Sequence, residues 1–119
     1  MDGSRLSNRT LNTMKNAPLA TPWPDPEQPT RSVLWQLMVG EGLDPYAWSN
    51  SPFDMYSAHT HSYNKVIYVV QGSITFGLPE LGKQITLKAG DRLDLPANTI
   101  HDAYVGAQGV VCLEGHKSL

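Results

Sequence analysis

Met55-Tyr56-Ser57-Ala58-His59-Thr60-His61 is the stretch that decides how this chain is read. It has the composition of an extended segment. In a strand, alternate side chains share a face, so the imidazoles of His59 and His61 point the same way. Forty residues on, Gly90-Asp91-Arg92-Leu93-Asp94-Leu95-Pro96-Ala97-Asn98-Thr99-Ile100-His101 reads as a strand, a tight turn and the start of another strand. Imidazole is the commonest protein ligand for zinc, iron, nickel and copper. If folding joins the two segments, His59, His61 and His101 form a three-nitrogen metal site.

Outward from these segments the signals are strand signals. The runs are Ser32–Val39, Met55–His61, Lys65–Gln71, Ser73–Leu78, Gln84–Lys88, Arg92–Pro96, His101–Val105 and Gly109–Gly115. They are short, rich in Val, Ile, Leu, Tyr and Thr, and divided by Gly, Pro, Asn and Asp. Residues 41–53 are too broken for a strand and read as a loop leading to the first histidines. No long pattern of helical period appears. An all-β sandwich or closed barrel is expected, which also removes exposed sheet edges.

Residues 1–30 differ. Five of the nine prolines fall here, and Thr21-Pro22-Trp23-Pro24-Asp25-Pro26 must run extended. This arm is expected to be extended or partly disordered, with residues 31–119 forming the barrel domain. Trp23 calls for a packing surface, either its own barrel or a partner subunit, so this Trp-bearing arm suggests a homodimer; Trp35 and Trp48 read as core or dimer-contact residues.

The 119 residues suit one domain, and the net charge of −2 argues against nucleic acid as a partner. No run approaches the roughly 20 apolar residues of a membrane span. There is no signal-type apolar stretch near the start, and Cys112 is the only cysteine. Both fit a cytoplasmic protein. Cys112, within Gly109-Val110-Val111-Cys112-Leu113, reads as a small buried apolar residue.

The two histidine segments resemble the paired motifs of the cupin superfamily. His59-Thr60-His61 and Gly72 match the first motif, and Gly90, Pro96 and His101 the second. Asn98 holds the second motif's inner glycine position, and Asn tolerates left-handed backbone. Phe53 stands where the first motif opens with Gly, and Val105 where the second ends in Asn. The resemblance spans roughly residues 32–113 and most closely suggests the small single-domain bacterial cupins. It implies a jelly-roll barrel, or double-stranded β-helix, with a divalent transition metal (zinc, iron or nickel) on His59, His61 and His101. It also implies a small-molecule ligand or substrate. Cupins include oxygenases, isomerases, decarboxylases, sugar-binding modules and storage proteins, so the fold leaves the reaction open.

One departure changes the chemistry. Lys65 occupies the position of the metal-binding Glu of the resembled family. An ammonium within roughly 5 Å of a divalent cation costs several kcal/mol unless screened, neutralised or turned away. Four resolutions are open. A carboxylate, Asp94 or Glu114, draws Lys65 off a three-His site completed by water; or Lys65 is neutral and a general base. Otherwise the barrel is metal-free and Lys65 binds an anion, or Lys65 forms a Schiff base with a carbonyl substrate. Lys65 and Glu114 are the candidate catalytic residues.

Glu114 alternates with Cys112 and His116, so it is a candidate inward-facing polar group; the alternative is a surface or Lys-paired role. His116 is read as solvated, Asp94 as a surface partner of Arg92, and Asp102 as facing away from His101. Tyr56, Tyr63 and Tyr104 line the barrel mouth or pack in a core or interface.

Overall fold

A computed structural model describes residues 17–117; residues 1–16 of the expected arm lie outside the described residues. Seven strands and one α-helix follow in order: β1 (Leu19–Thr21), α1 (Arg31–Gly40), β2 (Tyr46–Asn50), β3 (Met55–His59), β4 (Asn64–Leu78), β5 (Lys83–Lys88), β6 (Arg92–Leu95) and β7 (His101–Lys117), with a 3-10 turn (Pro79–Leu81) between β4 and β5. All pairings are antiparallel.

β4 and β7 are the spine. They pair along nearly their whole length, and each serves both halves of the barrel. In one half the order is β1-β6-β4-β7-β2. In the other, β5 pairs with the end of β4 and β3 with the start of β7. Sequence alone divides each long strand at its glycines; the structure shows a bend rather than a break. The register slips between Val69 and Gln71 and again between Gly72 and Ile74. Gly72 and Gly109 take φ of 79° and 75°, and a Cβ on Gly72 would lie 2.0 Å from the Gly109 carbonyl oxygen. The bulge reverses the inward parity. Ile67 and Val69 are buried in the inner cluster before it, Ile74, Phe76 and Leu78 after it. On β7, Ala103 and Val105 give way to Val110 and Cys112. A bulge thus curls a flat pair into a barrel.

The segment Ser32–Val39 is a helix, not the expected strand. A strand would place Gln36 between Leu34 and Met38 on the buried face. The helix buries Leu34 and Met38, one turn apart, and leaves Gln36 exposed. Thr30 caps the start by accepting from the Val33 amide at 3.2 Å. Gly42 (φ 80°) closes the end: Gly42 N–H reaches Val39 O at 2.9 Å and Leu43 N–H reaches Met38 O at 3.0 Å. This is a Schellman cap, with the expected Leu43–Met38 apolar contact. Leu34, Met38 and Leu43 cover Val66, Tyr68 and Leu113 on the outside of the barrel.

The expected loop over residues 41–53 also contains a strand, β2, paired with Val110–Glu114 of β7. Pro45 and Pro52 bound it without interrupting it. Leu19–Thr21 pairs with Arg92–Asp94 of β6, so this part of the arm lies on its own barrel. Trp23 packs over Gly90, where a Cβ would meet it at 2.5 Å, and its indole N–H donates to Glu27 O at 2.7 Å.

Candidate metal centre and pocket

Three elements carry the histidines. His59 ends β3 and pairs with His101 at the start of β7. The register shifts between Tyr56 and His59, so both residues line the pocket although three positions apart. His61 lies just beyond β3 in a turn tied to the second segment. Asn98 N–H donates to His61 O at 2.7 Å, and Ala97 N–H to Asn64 Oδ1 at 2.9 Å. Asn98 is left-handed (φ 63°), in keeping with its place at a glycine position of the resembled motif, and so is Phe53 (φ 65°).

The structure brings His59, His61 and His101 together, with one nitrogen from each within 4.8 Å of the others. The outer nitrogens of two of them are occupied. His59 Nδ1 donates to Ser57 O at 2.6 Å and His101 Nδ1 to Thr99 O at 2.8 Å. Both Nε2 lone pairs therefore face the cluster. His61 Nε2 is buried and has no hydrogen-bond partner among the described residues. Burial, then the positive charge of Lys65, lowers the pKa of His61. Burial also lowers that of His101, against the opposing Thr99 hydrogen bond. Both rings are thus held neutral, as ligands must be. An orphaned nitrogen beside two oriented lone pairs fits a metal ion.

The cluster forms one wall of a pocket of about 340 Å³. Aromatic side chains, including Trp48, Tyr56 and Phe76, line it together with Lys65 and Glu114. Glu114 is only 4% exposed. It accepts from Trp48 Nε1 at 3.0 Å and from the Tyr46 hydroxyl, and lies 2.6 Å from His116 Nε2. Lys65 Nζ is 3.6 Å from it. Burial pushes the Glu114 pKa up, but the Tyr46 and His116 hydrogen bonds and the Lys65 charge outweigh it, and the net shift is downward. Tyr46, desolvated and facing that carboxylate, is raised well above the ordinary phenol range and keeps its proton. Cys112 is buried with its thiol pKa also raised, chiefly by desolvation.

Of the two carboxylates open to Lys65, Glu114 is the one beside it. Asp94 pairs instead with Arg92 Nε at 2.9 Å. That outer cluster continues to Glu41 and to the Tyr68 hydroxyl at 3.2 Å. Asp102 sits over Gly77, outside the pocket. His116 is not simply solvated: besides Glu114, it stacks on Tyr63 at 3.9 Å between ring centroids. Tyr63 in turn stacks on His61 at 5.0 Å. Tyr46 escaped the sequence reading because it sits in the supposed loop. The signal was the alternation Tyr46-Ala47-Trp48 after Pro45, which sets Tyr46 opposite Glu114 and Trp48 opposite Cys112 across the β2–β7 register.

No protein-family model and no curated protein matches this sequence. Solved structures do match its fold. An RmlC-like cupin from Shewanella frigidimarina is similar over 65% of this chain and 67% of its own, at 22% identity and a TM-score of 0.55. A protein with a double-stranded β-helix domain from Klebsiella pneumoniae is similar over 60% and 64%, at 20% identity and 0.53. The polyketide cyclase RemF from Streptomyces resistomycificus is similar over 62% and 54%, at 24% identity and 0.56. No helix among the described residues is long and apolar enough to cross a membrane. With β4 and β7 coiled about a histidine-lined pocket, and with its fold similar to that of these solved structures, this chain has the cupin fold.

Proposed function

We propose that this chain is a metal-binding cupin that holds a divalent transition metal on His59, His61 and His101 and acts on a small polar molecule in the adjoining pocket. The observation that carries this is the buried, partnerless Nε2 of His61 between two imidazoles whose Nδ1 atoms are already engaged. All-nitrogen donors favour zinc, nickel or iron over manganese. A metal there would polarise an oxygen of the bound molecule.

The other residues have parts that follow from their chemistry. Glu114, ionised and saturated with donors, fixes Tyr46, Trp48 and His116 and offsets the charge of Lys65. Lys65, held beside Glu114, lines the same pocket and would offer its ammonium to a bound molecule. The two form the proposed catalytic pair, Lys65 as contact and Glu114 as its positioning partner. RemF is a polyketide cyclase by name, and a metal-dependent enzyme of oxygenase or isomerase type is consistent with this site. A second reading, a non-catalytic binding barrel in which Lys65 meets an anion, draws support from the open donors of Lys65. A cytoplasmic homodimer with residues 1–30 as an arm on a 31–119 barrel completes the proposal.

Metal analysis of protein purified without a metal-affinity tag tests it. About one equivalent of transition metal per chain is expected. His101→Ala is expected to weaken metal binding by about 100-fold or more. A His101→Ala protein that binds as tightly as the parent overturns the ligand set. An anomalous scan on crystals identifies the element.

A further inference from the structure

Besides the buried His61 Nε2, Lys65 is a pocket group with donors to spare. Its side chain is 11% exposed, and its one charged neighbour, Glu114 Oε1, lies at 3.6 Å, beyond hydrogen-bonding reach. Among the described residues no acceptor is hydrogen-bonded to Nζ, although an ammonium carries three donors. Glu114 is in the opposite condition, since Tyr46, Trp48 and His116 already occupy its oxygens. Glu114 thus screens Lys65 without filling its donors. The remaining donors lie at a pocket wall.

The rest of the pocket limits what can meet them. Its volume, about 340 Å³, is at the small end of ligand sites. Trp48, Tyr56 and Phe76 offer flat apolar surface, and the histidine cluster lines the same pocket, with His101 6.3 Å from Phe76 between ring centroids. A donor-rich cation, aromatic walls and a small volume select a small anion with a planar body. We infer that this pocket takes a small aromatic or unsaturated carboxylic acid, its carboxylate bonded to Lys65 and its flat body on the aromatic wall. This deepens the proposed function by naming the ligand class, and it rests on that pocket but not on metal occupancy.

Benzoate and benzamide share shape and differ in charge, so they form the probe pair, with cyclohexanecarboxylate as the non-planar acid. Titration calorimetry is run on the protein as purified and after dialysis against a chelator. Benzoate is expected to bind at least tenfold more tightly than benzamide in both forms, and severalfold more tightly than cyclohexanecarboxylate. Lys65→Met is expected to abolish the preference for benzoate over benzamide while leaving benzamide unchanged, and Lys65→Arg to keep it. If the wild type binds neither probe, or binds both equally, the inference fails without any variant. A preference present only in metal-loaded protein assigns the carboxylate to the metal and overturns the role of Lys65. A preference retained in chelator-treated protein upholds it even if the three-histidine metal site is wrong.

Discussion

Replacing Glu114 by Gln removes the one carboxylate paired with Lys65 among the described residues, with little change of volume. At 3.6 Å, and with an effective dielectric of about 20, the direct attraction is about 4.6 kcal/mol. Both side chains are almost buried, at 11% and 6% exposure, so solvent screens little of it. Breaking a buried pair from one side costs about 3–5 kcal/mol. The amide also presents N–H to donors that need an acceptor. The variant is therefore expected to lose about 3–5 kcal/mol, or more than about 10 °C in Tm. Denaturant unfolding checks this. The loss carries a pH signature. The folded pKa of Glu114 lies below the ordinary 4.5, so its contribution is complete above that value and disappears as pH falls through the folded pKa. The gap between parent and variant should be widest near neutrality and close in acid. Adding Lys65→Met should restore at least half of the loss, because an uncharged pair leaves no buried cation alone. A Glu114→Gln protein within about 1 kcal/mol of the parent, or a double variant no more stable than the single, refutes the coupling.

Other outcomes follow from the same structure. Lys65→Glu exchanges a cation near the histidines for a carboxylate and should tighten metal binding at least tenfold, about 1.4 kcal/mol, read by competition with a chromophoric chelator. Because His61 and His101 are shifted below 6.5, metal retention should stay level from weakly alkaline pH down to that value. It should fall only in more acid buffer, followed by metal analysis after equilibrium dialysis. Gly72→Ala drives a Cβ to 2.0 Å from the Gly109 carbonyl at a left-handed position and should cost more than about 2 kcal/mol. Gly40→Ala meets nothing within 4 Å at the end of α1 and should stabilise by about 0.5–1 kcal/mol; thermal melts of the two variants report both.

The sequence by itself determined the barrel class and the three imidazoles. Strand periodicity, and the spacing of His59, His61 and His101 around Gly72, Gly90 and Pro96, are local facts that survive any later packing. Asn98 illustrates this, since it stands at a glycine position of the resembled motif and is left-handed; Phe53, read only as a departure from that motif, turns out left-handed as well. Other features were decided between distant segments. Residues 32–39 suit strand or helix by composition; Thr30, Gly42 and the apolar outer face of β4 and β7 settled on helix. Glycine pairs look alike at a strand end and at a bulge, so β4 and β7 read as four strands until their register was seen. The partner of Lys65 was likewise undetermined, because Asp94 and Glu114 both stood open to it along the chain. Arg92 claims Asp94 on the outside of the barrel. The β2–β7 and β4–β7 registers bring Tyr46, Lys65 and Glu114 together from three strands. Such a cluster is a property of long-range pairing, which no local pattern encodes.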